Sequence, residues 1–273
     1  MEKVYVITGA TSGIGLELVK YFSRKNKVFA GFRREECAEM LKSISDKIIP
    51  FYIDMEISES IKNAAEFIKS NTDKIDTLIN VAGCVVAGVI EKLDINDLRK
   101  QFEVNTFSHL DFTQRLISGV KPNKIINVSS MASYGIFPFV APYCASKRAL
   151  DILFNSLSIE SDVNVVSVKP GVIATPLWDK SVELNKKAIE NCEGYEKEMK
   201  YLVKNAHDNG KNGLSPQRVV DLIAKIDTMK SPKPSYTVGF DAKVASIVSR
   251  LPFSTQKFLI KLGLKLKKMT PTK

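Results

Sequence analysis

Short runs of apolar and β-branched residues alternate along the chain with longer stretches in which apolar positions recur every three or four residues. The short runs predict seven strands, at 3–8, 27–32, 48–53, 75–80, 123–128, 163–168 and 235–238. The longer stretches predict amphipathic helices near 13–25, 57–71, 96–118, 143–161 and 216–228. Because strands and helices alternate, we expect βαβ units that build one parallel sheet. The strands are almost continuously apolar, so helices are expected on both faces of the sheet.

The pattern predicts a single α/β domain over residues 1–273, with no linker or internal repeat that would divide it. One interval departs from the alternation, because a helical and polar stretch at 175–213 separates the sixth and seventh strands. Insertions of this length in a compact domain usually cover a site, so we expect a helical substrate lid at 175–213. The last segment, 240–273, is predicted to be a basic tail.

Composition adds the position of the charge. The chain has 273 residues, 44% of them hydrophobic and 26% charged, which is typical of a globular protein and excludes a disordered or fibrous one. The formal net charge is +10, and from Ala242 onwards there are eight basic residues and no acidic one. Subtracting these eight charges leaves +2 for the rest of the chain. The basic character is therefore a property of the tail.

Two interpretations of the tail remain open. Apolar residues recur at helical spacing, at Phe258, Leu259, Leu262, Leu266 and Met269, with lysines on another face. Such a helix suits peripheral contact with an anionic membrane surface. It equally suits a terminal helix that packs its apolar stripe on the body of the protein. Basic segments that bind nucleic acid usually have aromatic residues interleaved with the basic ones or a recognisable fold signature, and neither pattern is found, so no nucleic-acid partner is expected.

Other features of the sequence indicate the compartment. No apolar run reaches the roughly 18 residues of a membrane-spanning helix, and the chain enters its first strand without a secretory signal. The four cysteines are scattered, and the only two histidines, His109 and His207, do not cluster with them. This spacing predicts neither a disulfide framework nor a metal site. We expect a cytoplasmic protein, with a peripheral membrane location if the tail binds lipid.

A glycine-rich loop follows the first predicted strand and precedes the first helix. It reads Thr8-Gly9-Ala10-Thr11-Ser12-Gly13-Ile14-Gly15. Glycines let a diphosphate approach the backbone closely, and a helix N-terminus provides free N–H groups and a favourable dipole. The same residues could form a tight turn without a ligand, but the position between strand and helix predicts a dinucleotide site.

The end of the second predicted strand indicates which dinucleotide is bound. NAD-binding domains usually carry an acidic residue here, which accepts a hydrogen bond from the ribose 2′-hydroxyl. In this chain Phe32 stands at that place and Arg33 and Arg34 follow. A guanidinium can bind a 2′-phosphate in bidentate fashion, so NADP(H) is predicted, with contacts from Arg33 and the hydroxyl of Ser12. Arg34 could instead be a solvated surface residue.

These motifs, with others in chain order, resemble the short-chain dehydrogenase/reductase family. The others are Asn80-Val81-Ala82-Gly83, Asn105, Ser130 with Tyr143-Cys144-Ala145-Ser146-Lys147, and Pro170-Gly171. The resemblance implies a Rossmann-type sheet of seven parallel strands. The chain is most similar to the hydroxysteroid and retinol dehydrogenase branch, in its Phe32-Arg33 turn, its long insertion and its Pro234–Gly239 strand before a basic tail. Val81 departs from the commonest family form, which has a second Asn.

The resemblance implies four catalytic residues, Asn105, Ser130, Tyr143 and Lys147. Tyr143 and Lys147 are four residues apart in a predicted helix, so their side chains share one face. Tyr143 is expected to exchange a proton with the substrate oxygen, and Lys147 to lower the pKa of Tyr143 and to bind the nicotinamide ribose. Ser130 is expected to hold the substrate oxygen, and Asn105 to anchor a water that relays protons to Lys147.

The remaining predicted contacts follow by position. Asp54 is expected to bind the adenine amine, unless it caps a turn, and Asn80 and Gly83 to border the adenosine ribose. The predicted cofactor contacts are Gly9, Thr11, Ser12, Gly13, Ile14, Gly15, Arg33, Asp54, Asn80, Ala82, Gly83, Tyr143, Lys147, Pro170, Gly171, Val172 and Thr175. Among the apolar and aromatic residues expected at the substrate are Met131, Tyr134, Phe137 and Trp178.

The expected function is therefore NADP(H)-dependent hydride transfer to or from a hydrophobic carbonyl or secondary alcohol, such as a steroid, retinoid or lipid. Alternatives are a broad-specificity reductase of small carbonyls, a regulator that senses NADP(H) without catalysis, and a membrane-bound scaffold. The resemblance also implies a homodimer or homotetramer that pairs through the helices near 96–118 and 143–161. No metal is needed, because the cofactor carries the redox chemistry.

Overall fold

A computed structural model describes the backbone of residues 2–269 and the side chains of residues 2–264. The side chains of residues 265–273 of the predicted basic tail, which include Leu266 and Met269 of the apolar stripe, lie outside the described residues.

Seven parallel strands form one sheet. They are β1 (Val4–Ile7), β2 (Lys27–Phe32), β3 (Ile48–Tyr52), β4 (Ile75–Asn80), β5 (Pro122–Val128), β6 (Asn164–Pro170) and β7 (Ser235–Val238). The strand order across the sheet is β3-β2-β1-β4-β5-β6-β7. All seven predicted strands are confirmed, with ends that shift by at most two residues. The chain reverses its direction across the sheet between β1 and β4, and ligands of such sheets bind at the carboxyl ends of the strands near this point.

Seven helices connect the strands outside the 175–213 interval. They are α1 (Gly13–Phe22), α2 (Glu36–Lys42), α3 (Ser58–Asn71), α4 (Ile95–Phe102), α5 (Ser108–Ile117), α6 (Ala141–Glu160) and α10 (Gln217–Thr228). Short 3₁₀ turns lie at Ile90–Lys92 and Met131–Ser133. The predicted helix at 96–118 is interrupted, because Glu103–Phe107 forms a π-helical turn between α4 and α5. The sequence pattern missed α2, whose seven residues bury only Cys37 and Leu41.

Two apolar layers cover the sheet. On one face α1, α2 and α10 pack on the strands, with Leu18 and Ile223 among the fully buried residues. On the other face α3, α5 and α6 bury Ile68, Phe112 and Phe154 against the same strands. Helices on both faces explain why the strands contain almost no alternation of apolar and polar residues, since both sides of each strand are buried.

The 175–213 interval is helical, as predicted. It contains α7 (Leu177–Leu184), α8 (Lys186–Glu190) and α9 (Glu196–Asn212), and we call it the lid. After β7 the chain continues into α11 (Phe240–Val248) and α12 (Phe253–Met269). None of the helices in the described part of the chain is long and apolar enough to cross a lipid bilayer.

Candidate active site

A cavity of about 1420 Å³ lies at the carboxyl ends of the strands, near the point between β1 and β4 where the strand order reverses. Its walls come from the glycine-rich loop, the ends of β2, β4, β5 and β6, the N-terminal turn of α6 and the lid. Most of the predicted site residues line it together. They are Gly9, Thr11, Ser12, Gly13, Ile14, Arg33, Asp54, Ala82, Gly83, Ser130, Met131, Phe137, Tyr143, Lys147, Pro170, Gly171, Val172, Thr175 and Trp178.

The glycine-rich loop requires its glycines. Gly9 has φ +61°, and a Cβ there would lie 2.8 Å from the backbone of Ala82. A Cβ at Gly15 would collide with the carbonyl of Gly9, so Gly15 supports the turn from beneath and does not itself line the cavity. Ser12 is the N-cap residue of α1 and makes no side-chain cap, so its hydroxyl is not used to close the helix. The loop therefore presents a helix N-terminus to the cavity, as a diphosphate requires.

Several cationic side chains lie at the end of the cavity next to β2, where the adenosine of a dinucleotide is expected. Arg33 and Arg34 follow β2 and both line the cavity, and Arg34 also forms an exposed ion pair of 3.4 Å with Glu36. Lys180, on α7 of the lid, donates a hydrogen bond of 3.2 Å to the hydroxyl of Ser12. Burial, then the charges of Arg34 and Arg33, lower the pKa of Lys180. A cluster of cations beside a helix N-terminus is suited to bind phosphate groups, and the donor set therefore fits NADP(H).

One carboxylate in this region was not anticipated from the sequence. Glu56 lines the cavity and pairs with two cations, with Arg33 at 3.3 Å and with Lys100 at 3.0 Å. The two cations neutralise the charge of the Glu56 carboxylate, and the carboxylate in turn orients the Arg33 guanidinium. No local sequence pattern predicts the role of Glu56, because its partners lie in the turn after β2 and in α4.

Two predicted adenosine contacts have structural roles as well. The carboxylate of Asp54 accepts a hydrogen bond of 2.9 Å from the backbone N–H of Glu56, so it caps a turn while it lines the cavity. Asn80 is fully buried, and its amide donates to Oδ1 of Asn127 at 2.8 Å. Asn80 does not line the cavity. It links β4 to β5 beneath the site.

Ser130 and Tyr143 meet at the centre of the cavity. Ser130 lies directly after β5 and is the N-cap of the 3₁₀ turn Met131–Ser133, where its Oγ accepts from the N–H of Ala132 at 3.1 Å. Tyr143 lies in the first turn of α6. Burial raises the pKa of the Tyr143 phenol to about 12, although a hydrogen bond with Ser130 acts in the opposite direction. The phenol is therefore protonated at neutral pH.

The expectation that Lys147 lowers the pKa of Tyr143 is wrong for this structure. Nζ of Lys147 lies 6.0 Å from the centroid of the Tyr143 ring and donates to the carbonyl of Val128 at 3.0 Å. Burial lowers the pKa of Lys147 to about 8, while Asp151, one turn further along α6, acts to raise it. Asp151 is itself buried in an ion pair of 2.7 Å with Lys169. Burial therefore dominates the pKa of Tyr143, and Lys147 is not among the groups that lower it.

Asn105 lies in the π-helical turn, beside the cavity but not on its wall. Its Oδ1 accepts from the N–H of Cys84 at 2.9 Å, and its Nδ2 donates to the carbonyl of Cys84 and to Oγ of Ser146. A Cβ on Gly83 would lie 3.2 Å from Asn105 Oδ1 and 3.6 Å from Lys147 Nζ. The turn therefore brings Asn105 close to Lys147, with Gly83 between them, and π turns often occur at functional sites.

His109 supports the same wall and was not singled out from the sequence. It is buried on α5, and its Nε2 lies 2.8 Å from the carbonyl of Ala82. Because a carbonyl oxygen only accepts, Nε2 carries the hydrogen in this contact. Burial, together with the nearby charge of Lys147, lowers the pKa of His109 to about 3. A neutral imidazole thus fixes the backbone that follows β4.

The predicted substrate residues separate into two groups. Met131, Phe137 and Trp178 line the cavity, and Trp178 is oriented by a hydrogen bond of 2.7 Å from Nε1 to the carbonyl of Ile173. Tyr134 does not line it. Its hydroxyl instead bonds Oγ1 of Thr237 on β7 at 2.7 Å, because the 3₁₀ turn directs this side chain away from the cavity and towards the sheet.

The wall opposite Trp178 contains a strained residue. Phe139 has φ +67°, which is a genuine outlier for a bulky side chain. Its ring packs against Tyr195 of the lid at a centroid distance of 6.3 Å, and its carbonyl accepts from the N–H of Gly88 at 2.8 Å. Phe139 also lines the cavity. The lid is thus in contact with a conformation that the chain holds at an energetic cost.

Asn185 helps to fasten the lid to the segment after β4, together with Tyr195, which donates to Glu91, and Glu193, whose carbonyl accepts from Lys92. Asn185, between α7 and α8, is buried. Its Oδ1 accepts from the N–H of Ala87 at 2.7 Å, and its Nδ2 donates to the carbonyls of Val85 and Ser181. These bonds close the substrate end of the cavity. Sequence reasoning missed Asn185, because its partners in the loop lie about one hundred residues earlier in the chain.

Comparison with known proteins agrees with the fold and identifies the family. The short chain dehydrogenase family model matches residues 3–186, and the chain therefore belongs to the short-chain dehydrogenase/reductase family. It is an oxidoreductase of that family. The uncharacterized oxidoreductase YusZ of Bacillus subtilis is 30% identical over 95% of this chain and 98% of its own. This similarity does not single out the hydroxysteroid and retinol branch.

Two further relatives have names that state an activity. An NADPH-dependent 3-dehydrocapnine reductase of Ornithobacterium rhinotracheale is 30% identical over 64% of this chain and 67% of its own. A 3-ketodihydrosphingosine reductase of Bacteroides thetaiotaomicron is 25% identical over 95% of this chain and 97% of its own.

Solved structures share the fold. A short chain dehydrogenase of Burkholderia cenocepacia, in complex with NADP, is 24% identical, with a TM-score of 0.65 over 99% of this chain and 98% of its own. A short chain dehydrogenase/reductase of Burkholderia phymatum, in complex with NAD, is 19% identical, with a TM-score of 0.75 over 94% of this chain and 95% of its own. Both dinucleotides thus occur among proteins of this fold.

Proposed function

We propose that the chain is an NADP(H)-dependent oxidoreductase that transfers hydride between the nicotinamide and a hydrophobic carbonyl or secondary alcohol. The observation that carries the proposal is the shared cavity: Ser130, Tyr143 and Lys147 line the same space as the glycine-rich loop. A glycine-rich loop without a proton donor such as Tyr143 would suit a protein that only senses the cofactor. A buried tyrosine without a dinucleotide site would suit a purely structural role. Their combination suits catalysis.

The preference for NADP(H) rests on charge. Arg33, Arg34, Lys100 and Lys180 line this end of the cavity, where Lys100 shares the Glu56 carboxylate with Arg33 and Arg34 pairs with the exposed Glu36. A 2′-phosphate would gain charge-assisted hydrogen bonds there, whereas a ribose hydroxyl would not. The name of the NADPH-dependent relative agrees with this choice.

The cofactor, when bound, supplies or accepts the hydride. The proposed role of Ser130 is to orient the substrate oxygen through its hydroxyl. Tyr143 gives its phenolic proton to that oxygen when a carbonyl is reduced and takes it back when an alcohol is oxidised. Burial raises the pKa of the phenol, so it holds its proton at neutral pH, and the positive charge of Lys147 would favour release of that proton to the substrate oxygen in reduction.

Lys147 and Asn105 complete the proposed machinery. The Lys147 ammonium gives the site positive potential, stabilises negative charge that develops on Tyr143 or on the substrate oxygen, and is available to the nicotinamide ribose. Asn105 positions the wall around Lys147 through Cys84 and Ser146. We assign Asn105 to positioning, since its side chain is not on the cavity wall.

The substrate is proposed to be a lipid-like ketone. Met131, Phe137, Phe139 and Trp178 give the substrate end an apolar and aromatic lining, and such a lining favours hydrophobic ligands. Two relatives are named as a 3-ketodihydrosphingosine reductase and a 3-dehydrocapnine reductase, which agrees with a ketone substrate. A long hydrophobic chain would occupy the part of the cavity that Phe137, Phe139 and Trp178 of the lid line.

The test compares cofactors and substrates on the purified protein. We expect NADPH to bind more tightly than NADH, and Arg33→Ala to remove most of that preference. Oxidation of NADPH, followed by its absorbance, is expected with long-chain ketones and is expected to be absent in Tyr143→Phe, which binds NADPH as the unaltered protein does. Tight NADPH binding without turnover of any ketone or alcohol would indicate a sensor, and equal rates on small carbonyls a broad-specificity reductase.

We also propose a homodimer or homotetramer in the cytoplasm that pairs through α5 and α6. Exposed apolar side chains support the pairing face, Phe107 beside α5 and Ile152 and Ile159 on α6. Light scattering tests this arrangement, since Ile152→Asp with Ile159→Asp is expected to yield monomers.

A further inference from the structure

The C-terminal helices expose an unusual amount of apolar surface. The C-terminal surface consists of Phe240, Val244, Ile247, Leu251, Phe253, Phe258, Leu259 and Leu262, all exposed. Phe240 is 83% exposed, and Phe253 and Phe258 are more than 60% exposed. Single exposed apolar residues are normal, but eight within 23 consecutive positions, 240–262, mark an interaction site. Because Phe258, Leu259 and Leu262 of the apolar stripe are exposed, the stripe as a whole does not pack on the body of the protein.

The charge around this surface has one sign. Lys243, Lys257 and Lys261 are exposed on the same two helices, and Arg250 is exposed in the turn between them. The sequence adds further lysines up to Lys273 and has no acidic residue after Asp241. A helix with exposed aromatic and leucine side chains beside lysines is typical of segments that lie in the plane of an anionic bilayer surface.

A second copy of the chain is the less suitable occupant. Pairing two such surfaces about a two-fold axis would place their basic residues near each other, and like charges in an interface oppose association. An anionic lipid surface instead offers apolar chains for the phenylalanines and leucines, and phosphate groups for the lysines. The positive charge of the C-terminal surface therefore favours an anionic lipid bilayer over a second copy of the chain.

The same helix reaches the cavity. Leu264 of α12 lines the cavity, together with Tyr201 and other residues of α9 in the lid. Leu264 is partly buried, whereas Phe258, Leu259 and Leu262, two to six residues earlier, face solvent. The helix thus extends from the exposed apolar surface to the apolar end of the cavity. A ligand that leaves a lipid layer beneath α12 would meet the cavity without crossing open water.

We propose that α11 and α12 dock the protein on an anionic lipid bilayer and place the apolar end of the cavity at the lipid, so that a hydrophobic ketone enters from the membrane. The docking stands on the exposed residues and the charge alone. The entry route rests on the function proposed above, and the two parts are tested separately.

The docking test uses sedimentation of the full-length protein with vesicles of phosphatidylcholine, either pure or with phosphatidylserine added. We expect binding to the anionic vesicles, little binding to the neutral ones, and loss of binding in high salt. Phe253→Ser with Phe258→Ser, and Lys257→Gln with Lys261→Gln, are each expected to weaken binding by about tenfold. The matched control is Phe67→Ser, which removes an exposed phenylalanine from α3 and is expected to bind as the unaltered protein does.

Three results would overturn the docking proposal. They are equal binding to neutral and anionic vesicles, an equal loss in the Phe67→Ser control, and a conversion of dimers to monomers by the Phe253→Ser and Phe258→Ser pair without any vesicle binding by the unaltered protein. The last result would identify the C-terminal surface as an interface between copies of the chain. Circular dichroism of each variant checks that it is folded.

The entry route is tested with two ketones, a short water-soluble one and a long-chain one held in anionic vesicles. We expect the phenylalanine pair to keep its rate on the soluble ketone and to lose about tenfold on the vesicle-held ketone. Equal rates on the vesicle-held ketone would overturn membrane entry. If no ketone or alcohol is turned over while the anionic vesicles still bind, the proposed function fails and the docking remains.

Discussion

Nζ of Lys180 on the lid lies 3.2 Å from Oγ of Ser12 in the glycine-rich loop, and this contact joins two segments that are 168 residues apart. The lid therefore reaches the phosphate cradle as well as the substrate. A negatively charged ligand at Ser12 would attract Lys180 and hold α7 in place. A cofactor bound at the glycine-rich loop would thereby be connected to the lid through one side chain.

Replacement of Lys180 by Met is expected to weaken NADPH binding by about tenfold, the loss typical of one charge-assisted hydrogen bond. NADH, which lacks the 2′-phosphate, is expected to lose less than about twofold. Fluorescence titration of the two cofactors measures both values. Lys187→Met, at an exposed lysine of α8 outside the cavity wall, is the matched control. Equal losses for NADPH and NADH would place Lys180 on the diphosphate instead.

The pH dependence of the reduction is expected to follow Lys147. Its pKa of about 8 means that the ammonium is charged at pH 6–7 and loses its proton as the pH rises through 8. Tyr143, with a pKa of about 12, keeps its proton throughout this range. We therefore expect kcat/KM for ketone reduction to be level below pH 7 and to fall about tenfold per pH unit above 8.

Lys147→Arg provides the comparison, since a guanidinium remains charged at pH 9. Whatever activity this variant retains is expected to stay level from pH 6 to 9. A decline near pH 8 that persists in the arginine variant would assign the titration to another group.

Acid stability is expected to depend on His109. Its pKa is about 3 in the folded protein and near 6.5 when the chain unfolds, so between these values the unfolded chain binds the additional proton. Stability therefore rises with pH across this window and is lost as the pH falls from 6 to 4. One proton gives a slope of about 1.4 kcal/mol per pH unit.

Urea unfolding at several pH values measures this slope. In His109→Gln, whose amide can still donate to the Ala82 carbonyl, the slope between pH 4 and 6 is expected to decrease by about that amount. Carboxylates contribute to both proteins, so the difference between them isolates His109. Identical slopes would show that the histidine is not held neutral.

Asn185 is expected to control the closure of the lid. Its replacement by Ala leaves the buried N–H of Ala87 and the carbonyl of Val85 without partners, which costs about 2 kcal/mol of local stability. Hydrogen exchange in α7–α9 is expected to become faster, and KM for the ketone to rise more than kcat falls. Asn191→Ala, at an exposed asparagine of the same lid, is expected to change neither. Unaltered exchange in Asn185→Ala would show that other contacts hold the lid.

Local pattern and fold-level rules account for what could be predicted. A strand such as β5 is recognisable because four consecutive buried residues, Ile125–Val128, include only one polar side chain. The glycine-rich loop is recognisable because strand, loop and helix are contiguous. Helix α2 was missed because seven residues with two buried side chains give too little periodicity to detect.

The missed residues share a different property. Glu56, His109, Lys180 and Asn185 act through partners that are distant in the sequence, so no motif contains both members of a contact. Tyr134 was assigned to the substrate because it is aromatic and follows Ser130, yet the direction of its side chain is set by a 3₁₀ turn and a partner on β7. The pKa of Tyr143 depends on how much solvent the fold removes, and spacing along a helix carries no information about that.

The π-helical turn at Glu103–Phe107 has a consequence for how such a site can arise. A π turn accommodates one residue more than a regular helix, while α4 before it and α5 after it keep the faces they pack on the body. In this protein the turn brings the Asn105 side chain to Cys84 and Ser146. A wall of the site is thus formed within a helical segment whose outer turns remain part of the core.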